Sequence, residues 1–553
     1  TDKTEGNLII IGNTRLSKDT GGSLNSRDIW DDRFRIKATS DRLYLLGASP
    51  RGTLFSVYHL LEQFGCRWFD PGPGGDEIPE LKTISLDAMD MIESADLPRR
   101  AFAVFGTYYT PQECVDYIDW MAKNKLNVFW WAGGNFDKQN RMNLDDWFNN
   151  KKDRVLPEVL KRGLVCDFSN HNFRFIDGDD EICFSGHGSE KKASDYLTNL
   201  LQQNSYIDCI SLWPDDGWGA GICKCRKCLE MDKPFRYVKG MPEKLKYVMQ
   251  TNGYVHFSNS VTENVKEHFP EKRVTMLSYN RIKQPPSDPN LRTDPAIGVC
   301  FAARSGTSAC FKHSLDDPEC ELNSYASKLI EQWEKHTDSL FLYEYYFKYA
   351  SRDLLYELGP GIIADCRYLD QAGLSGIATQ SSAQSWGSMG LNYYTLARAM
   401  WDTQIKWEDF LSDFCQKYYG EGAADSMRKY HQRLISAIQD RQGHFVPTRE
   451  QIAETLTPEV LTDCQAYLDK ASSQAGAAYR QRVALRAKAF EYARLYKEGI
   501  VEGNPEKLRA LATFLKWQSD GIVDKYNMLG KVMGPNLFRT IETKLAESSG
   551  KKK

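Results

Sequence analysis

Two short stretches place acids where a chain that only buries its apolar residues has no use for them. Ile210-Ser211-Leu212-Trp213-Pro214 leads into Asp215-Asp216-Gly217-Trp218-Gly219, and Leu340-Phe341-Leu342-Tyr343 leads into Glu344-Tyr345-Tyr346-Phe347. An acid beside aromatic rings loses hydration, which disfavours its charged form and raises its pKa toward the range of a general acid. Glycoside cleavage needs such a group. It also needs a second carboxylate that acts as nucleophile, as base, or by orienting a substrate acetamide that attacks in its place. Glu344, Asp216 and Asp215 are therefore the candidate catalytic residues. The competing reading is that Asp215 or Asp216 caps its turn and that Glu344 pairs with a basic neighbour such as Lys348.

The elements that must position these acids are legible as alternating runs. From about residue 99 to 401, apolar strand-like runs alternate with amphipathic helical stretches, the pattern of parallel strands joined by right-handed crossovers. Strands are predicted at 101–105, 127–131, 164–168, 207–213, 274–279, 298–302, 340–345 and 375–380. Eight repeats over about 300 residues fit a (β/α)8 barrel better than an open doubly wound sheet. No Gly-x-Gly-x-x-Gly follows a strand, which removes the main support for a dinucleotide fold.

In a barrel the reacting groups lie past the C-terminal ends of the strands. The acids fall past strands four and seven, which are expected to face each other over the mouth. Other strand ends supply candidate sugar contacts: Tyr108 and Tyr109, Trp130 and Trp131, Asn170 and His171, Trp213 and Trp218, Tyr279 and Asn280, Arg304, Tyr345, and Gln380 with Trp386. Aromatic stripes are usually core. Their concentration at strand ends is what points to sugar rings.

Ahead of the barrel, residues 1–97 read as a small α/β unit, with strands at 8–12, 34–38 and 42–47 and a helix over 53–64 that Gly65 stops. Residues 98–401 form the predicted barrel. Residues 402–553 turn helical, with amphipathic stretches at 407–419, 423–439, 458–473, 477–500 and 505–519. The fold class expected is α/β, a TIM-like barrel between an N-terminal α/β accessory domain and a C-terminal α-helical domain.

Composition narrows the partners. Lys and Arg total 71 against 74 Asp and Glu, a net charge of −3, so no global basic field favours nucleic acid. No apolar run approaches the roughly 20 residues of a membrane-spanning helix. The chain carries 13 Trp, 28 Tyr and 26 Phe, flat faces that suit a carbohydrate. Of the 14 Cys, Cys114, Cys166, Cys209, Cys300 and Cys366 sit singly in apolar runs and read as small buried hydrophobes. Cys223, Cys225 and Cys228 form a C-x-C-x-x-C cluster directly after the Asp-Asp-Gly turn. It lacks a fourth local ligand for structural zinc, so a fourth must come from a distant residue, and a local disulfide is the competing reading. Either would brace the loop that carries the acids. No cofactor is expected in catalysis. No Ser nucleophile elbow, HExxH or Walker sequence is present.

Gly52-Thr53-Leu54-Phe55-Ser56-Val57-Tyr58, with Leu60-Leu61-Glu62 and Gly65-Cys66-Arg67-Trp68-Phe69, resembles the N-terminal accessory domain of α-glucuronidases and β-hexosaminidases. The Pro-Asp-Asp-Gly turn with its C-x-C-x-x-C, Tyr343-Glu344-Tyr345-Tyr346, Ala399-Met400-Trp401-Asp402 and Tyr418-Tyr419-Gly420 resemble the DUF4838 family. Part of that family is glycoside hydrolase family 163, endo-β-N-acetylglucosaminidases of gut Bacteroidetes acting on complex N-glycans. The resemblance implies a retaining hydrolase that cuts within a chitobiose core with the substrate acetamide as nucleophile. It implies Glu344 as proton donor and Asp216, in preference to Asp215, as the group orienting the acetamide, with the roles exchangeable. It also implies export to the periplasm or outer surface of a Gram-negative cell. Two other functions compete: a non-catalytic glycan-binding protein, and an α-glucuronidase-like enzyme in which Arg304 would hold a uronate.

Overall fold

The computed structural model describes residues 7–20, 24–104, 109–132, 135–136, 142–143, 147–173, 176, 181–215, 222–232, 249–305, 309–348, 351, 353–381, 385–519 and 534–548. The N-terminal part is a mixed sheet of β1 (Leu8–Ile11), β2 (Phe34–Ala38), β3 (Arg42–Gly47) and β4 (Met89–Glu93), ordered β1-β3-β2-β4, with only the β1–β3 pair parallel. Helix α1 (Pro50–Gln63) packs on it, started by Ser49, whose side chain accepts from the Gly52 amide. The three predicted strands and the helix therefore form, while β4 carries too weak an apolar pattern to be read from the chain.

A closed barrel follows, of eight strands paired in parallel: β5 (Arg99–Val104), β6 (Val128–Trp131), β7 (Val165–Phe168), β8 (Cys209–Ser211), β9 (Arg273–Ser278), β10 (Ile297–Phe301), β11 (Leu340–Glu344) and β12 (Gly376–Thr379). Each lies on a predicted run. The crossovers include α2 (Pro111–Lys123), α3 (Lys152–Lys161), α4 (His187–Gln203), the short α5 (Arg226–Glu230), α6 (Thr251–His268), α7 (Glu321–Trp333), α8 (Gly359–Gln371) and α9 (Trp386–Trp401). Helix α2 shows why they begin where they do: Thr110 and Glu113 close a capping box and Pro111 fills the first turn.

The inside of the barrel is a packed column. Ala101, Ala103 and Ala378 leave room for Trp130, Trp213 and Phe341, with Val128, Val165, Cys209, Leu277 and Cys300 between them. At its floor, Arg99 is paired with Asp167 and its guanidinium lies 3.8 Å from the Phe341 ring centroid. The alternate side chains, such as Phe129, Trp131, Phe301 and Leu342, pack outward into the layer beneath the helices.

The C-terminal helices are α10 (Trp407–Gln439), α11 (Arg449–Thr455), α12 (Pro458–Gln474), α13 (Arg480–Tyr496), α14 (Pro505–Ser519) and α15 (Gly534–Ser548). The break predicted near residue 420 is present inside α10 as Gly420, at φ 74° against the Tyr479 ring. These helices are locked to the barrel by polar contacts. Buried Glu357 accepts from His431 Nδ1 at 2.7 Å, and Arg486 reaches the Gly387 carbonyl at 2.9 Å. The N-terminal sheet is held in the same way, with Asp32 receiving both Arg51 and Arg100. Among the described residues, no helix is long and apolar enough to cross a membrane.

Candidate active site

The end of the fourth barrel strand faces the barrel axis. Trp213 lies above Cys209 and Ser211 on the inner face, with its ring centroid 6.0 Å from Trp130 and 6.5 Å from Tyr343, so strands two, four and seven meet across the axis through aromatic rings. Trp130 is only 5.4 Å from Tyr343, edge to face, and its indole N–H donates to the Ser169 carbonyl at 2.7 Å. The indole N–H of Trp213 is buried and, among the described residues, has no hydrogen-bond partner, a donor left for a ligand or an ordered water. Half-buried Asp215 shares a narrow cleft with Leu277, Tyr279 and Asn280, and Leu277 and Tyr279 belong to the inner column. Asn280 holds a positive φ of 49° at the turn that shapes this cleft. His171 pairs with Trp213 across the third and fourth strand ends, and its Nδ1 contacts the Pro214 carbonyl. Asp216, Trp218 and Tyr108 lie outside the described residues.

The end of the seventh strand is built differently, and the expectation of two acids facing each other over the mouth is not met. Tyr343 takes the inner side, where Gln380 Nε2 donates to its hydroxyl at 2.9 Å and Tyr345 packs edge to face at 4.8 Å. Glu344, one residue on, takes the outer side with Leu342 and Tyr346 and is 0% exposed. One carboxylate oxygen accepts from the Tyr345 amide at 2.9 Å. The other lies 3.7 Å from the Arg304 guanidinium and has no hydrogen bond among the described residues. Burial pushes this carboxyl up to about 7 against the pull of Arg304. Burial likewise lowers Lys283 and Lys348 to about 8, with Glu344 opposing the fall in both. Lys348 is thus an electrostatic neighbour of Glu344, and the close cation is Arg304.

Arg304 is not a sugar contact. It makes a two-pronged bond to Asp365 of α8 at 2.6 and 3.1 Å, and Asp365 also receives the Tyr346 hydroxyl at 2.8 Å and the Leu315 amide at 2.7 Å. A guanidinium so occupied is not available to a uronate. Three more expected contacts are corrected by strand and helix geometry. Trp131 is 0% exposed on the outer face of its strand, against Phe129 and Trp147. Trp386 opens α9 buried against Trp120 and Tyr393. Asn170 is buried, with Nδ2 donating to the Trp131 carbonyl at 3.0 Å. Tyr109 is likewise buried. Tyr279, Asn280, His171, Tyr345 and Gln380 remain at the mouth and Tyr343 joins them, while Trp130 and Trp213, nearly buried, close the top of the inner column beneath them. Its signal is register: it stands two residues beyond the inward Phe341.

The cysteine cluster acquires the distant fourth member that its spacing called for. Cys183, in the segment after the third strand, joins Cys223, Cys225 and Cys228, all four sulfurs within 4.8 Å of one another. The singly placed Cys114, Cys166, Cys209, Cys300 and Cys366 are all buried, as expected.

Comparison with known proteins agrees with this architecture. The family described as "Domain of unknown function (DUF4838)" matches residues 71–432, and the chain belongs to it. A search of curated proteins returned no match. Among solved structures, the chain is similar to BtGH115A, a family GH115 4-O-methyl-α-glucuronidase with specificity for decorated arabinogalactans: TM-score 0.63 and 12% identity, covering 96% of this chain and 74% of that one. It is also similar to a GH138 enzyme targeting pectin rhamnogalacturonan II, with TM-score 0.53 and 10% identity over 95% of this chain and 69% of that one. A third is CpGH84B, with TM-score 0.50 and 13% identity over 95% and 88%. At such identities these matches establish the architecture of barrel, N-terminal sheet and helical end, and the chemistry rests on the site itself.

Proposed function

We propose that this chain is a glycoside hydrolase, a retaining endo-β-N-acetylglucosaminidase that cuts the chitobiose core of complex N-glycans. The observation that carries the reading is the strand-four rim: an aromatic floor of Trp130, Trp213 and Tyr343 directly beside Asp215 in its cleft. Sugar rings present apolar C–H faces that stack on such rings, while their hydroxyls take hydrogen bonds from the polar tips. The unsatisfied Trp213 N–H and the Tyr343–Gln380 pair supply those tips.

In substrate-assisted cleavage the acetamide oxygen of the sugar attacks its own anomeric carbon. The protein then has two tasks: to protonate the leaving oxygen and to orient and polarise the acetamide. Asp215 and Asp216, consecutive in the sequence, suit this division. Asp215 donates the proton and Asp216 orients the acetamide, with water completing hydrolysis of the cyclic intermediate and returning the proton. Glu344 supports the rim from behind, through the Tyr345 amide and the Arg304 cluster, and does not touch substrate. An N-glycan substrate places the enzyme outside the cytoplasm, in the periplasm or on the outer surface of a Gram-negative cell.

Mass spectrometry of products from a glycoprotein bearing one defined complex N-glycan tests the proposal. Release of the glycan with a single N-acetylglucosamine left on the asparagine is the expected result. Retention of the glycoprotein without release, or release of terminal sugars only, contradicts it.

A further inference from the structure

The thiol cluster beside the strand-four rim has the geometry of a metal site. Cys183 Sγ lies 3.5 Å from Cys228 Sγ and 3.9 Å from Cys225 Sγ. Four thiolates around a tetrahedral zinc, each at roughly 2.3 Å, stand about 3.8 Å from one another. A disulfide requires roughly 2.05 Å between two sulfurs, and four sulfurs gathered within 4.8 Å of one another are not the signature of pairing. The backbone is arranged to hold them so. Ile182 and Ile222 form a parallel bridge that sets Cys183 beside Cys223, and the Cys223 amide donates to the Ile182 carbonyl at 3.0 Å. Gln250 Nε2 donates to the Cys223 carbonyl at 2.7 Å.

The surroundings suit thiolate ligands. The Cys225 amide points at Cys223 Sγ at 3.3 Å, and the Ser185 hydroxyl lies 3.3 Å from Cys228 Sγ. The amide is a donor, and the hydroxyl donates when the sulfur is a thiolate; both then stabilise negative charge on sulfur, as outer partners of metal ligands do. A zinc tetrathiolate carries a double negative charge, and Lys224, Arg226 and Lys227 are interleaved with the ligands. Cys228 is buried, Cys183 and Cys223 are half-buried and Cys225 is exposed, so the site lies at the edge of the fold with an entry path for the ion.

We propose that Cys183, Cys223, Cys225 and Cys228 form a closed structural zinc site that fastens residues 222–228, which follow Asp215 and Asp216 in the sequence, to the segment after the third barrel strand. All four positions of the ion are taken by protein sulfur, so it braces and does not react. The clamp holds residues 222–228 against residues 181–186, and His171, in the same segment after the third strand, bridges to Trp213. This inference stands whatever bond the chain cuts.

The test is the metal content of the full chain, purified under reducing conditions, with zinc K-edge X-ray absorption on the same sample. The expected result is about one zinc per chain with four sulfur neighbours at roughly 2.3 Å. Cys183→Ser should lower the zinc retained after dialysis against a chelator at least tenfold. Cys320→Ser, which alters the separate group of Cys310, Cys320 and His444, should leave it in place. If Cys183→Ser does not fold, the sulfur count of the wild-type chain decides. Three or fewer sulfurs, iron in place of zinc, a disulfide joining any two of the four, or a chain that neither holds nor takes up zinc each overturn the proposal. Zinc kept by Cys183→Ser and lost by Cys320→Ser overturns it as well.

Discussion

The fourth and seventh barrel strands end in similar sequences, an apolar run followed by aromatic residues and acid, yet they present opposite faces. On strand four, Trp213 is axial with Leu277 and Tyr279, and Asp215 lines a cleft with the latter two. On strand seven, the aromatic Tyr343 is axial and the acid Glu344 turns outward into the Arg304–Asp365 cluster. Within a strand, a shift of one residue decides whether a side chain faces the axis or the wall behind it. The difference also separates two uses of a perturbed acid. An enclosed carboxyl pushed up to about 7 beside a guanidinium is a structural feature unless a path leads to it.

The largest effect that would sharpen this contrast is on turnover. Asp216→Asn and Asp215→Asn should each lower kcat by on the order of 10²–10⁴-fold, the range for losing a positioned proton donor or its partner, with the thermal midpoint unchanged. Near-normal turnover by both would move the chemistry off strand four.

Next in size is stability at strand seven. Arg304→Met removes the cation shared by Asp365 and Glu344, all three nearly inaccessible. Leaving buried acids without their partner costs about 3–5 kcal/mol, to be read from denaturant unfolding. A loss under about 1 kcal/mol would mean that the cluster is open to water.

Smaller still is a pH effect at Glu344. Its folded-state pKa, raised to about 7 from 4.5, means that the native state keeps a proton that the unfolded chain releases. The contribution to stability is therefore intact below about 4.5 and is lost as pH rises toward 7. Glu344→Gln, a neutral mimic of the protonated acid, should match the wild type at pH 4.5 and exceed it in thermal midpoint at pH 8. A constant difference across that range would contradict the raised pKa.

The architecture is open to reading because the barrel strands are largely apolar runs, nearly all of their residues buried as in parallel strands. That same property hides the site. Since both faces of Phe129-Trp130-Trp131 or of Leu342-Tyr343-Glu344 are buried, nothing in the run tells which set is axial, and the expectation puts Trp131 and Glu344 on the wrong side. Partners far along the chain are hidden for another reason. Asp365 stands 61 residues from Arg304 and Cys183 stands 45 from Cys228, and only barrel closure brings them together. A distant fourth ligand is nonetheless one of the two readings that the C-x-C-x-x-C spacing leaves open, and the helix break at Gly420 is written in its glycine.

The two strand ends are compared most directly by kcat/KM of Asp216→Asn and Glu344→Gln on one N-glycopeptide, with both variants shown to be folded. Chemistry at strand four predicts a fall of at least about 10²-fold for Asp216→Asn and a change within about tenfold for Glu344→Gln, whose carboxyl is enclosed. Activity abolished in Glu344→Gln and preserved in Asp216→Asn would contradict the account.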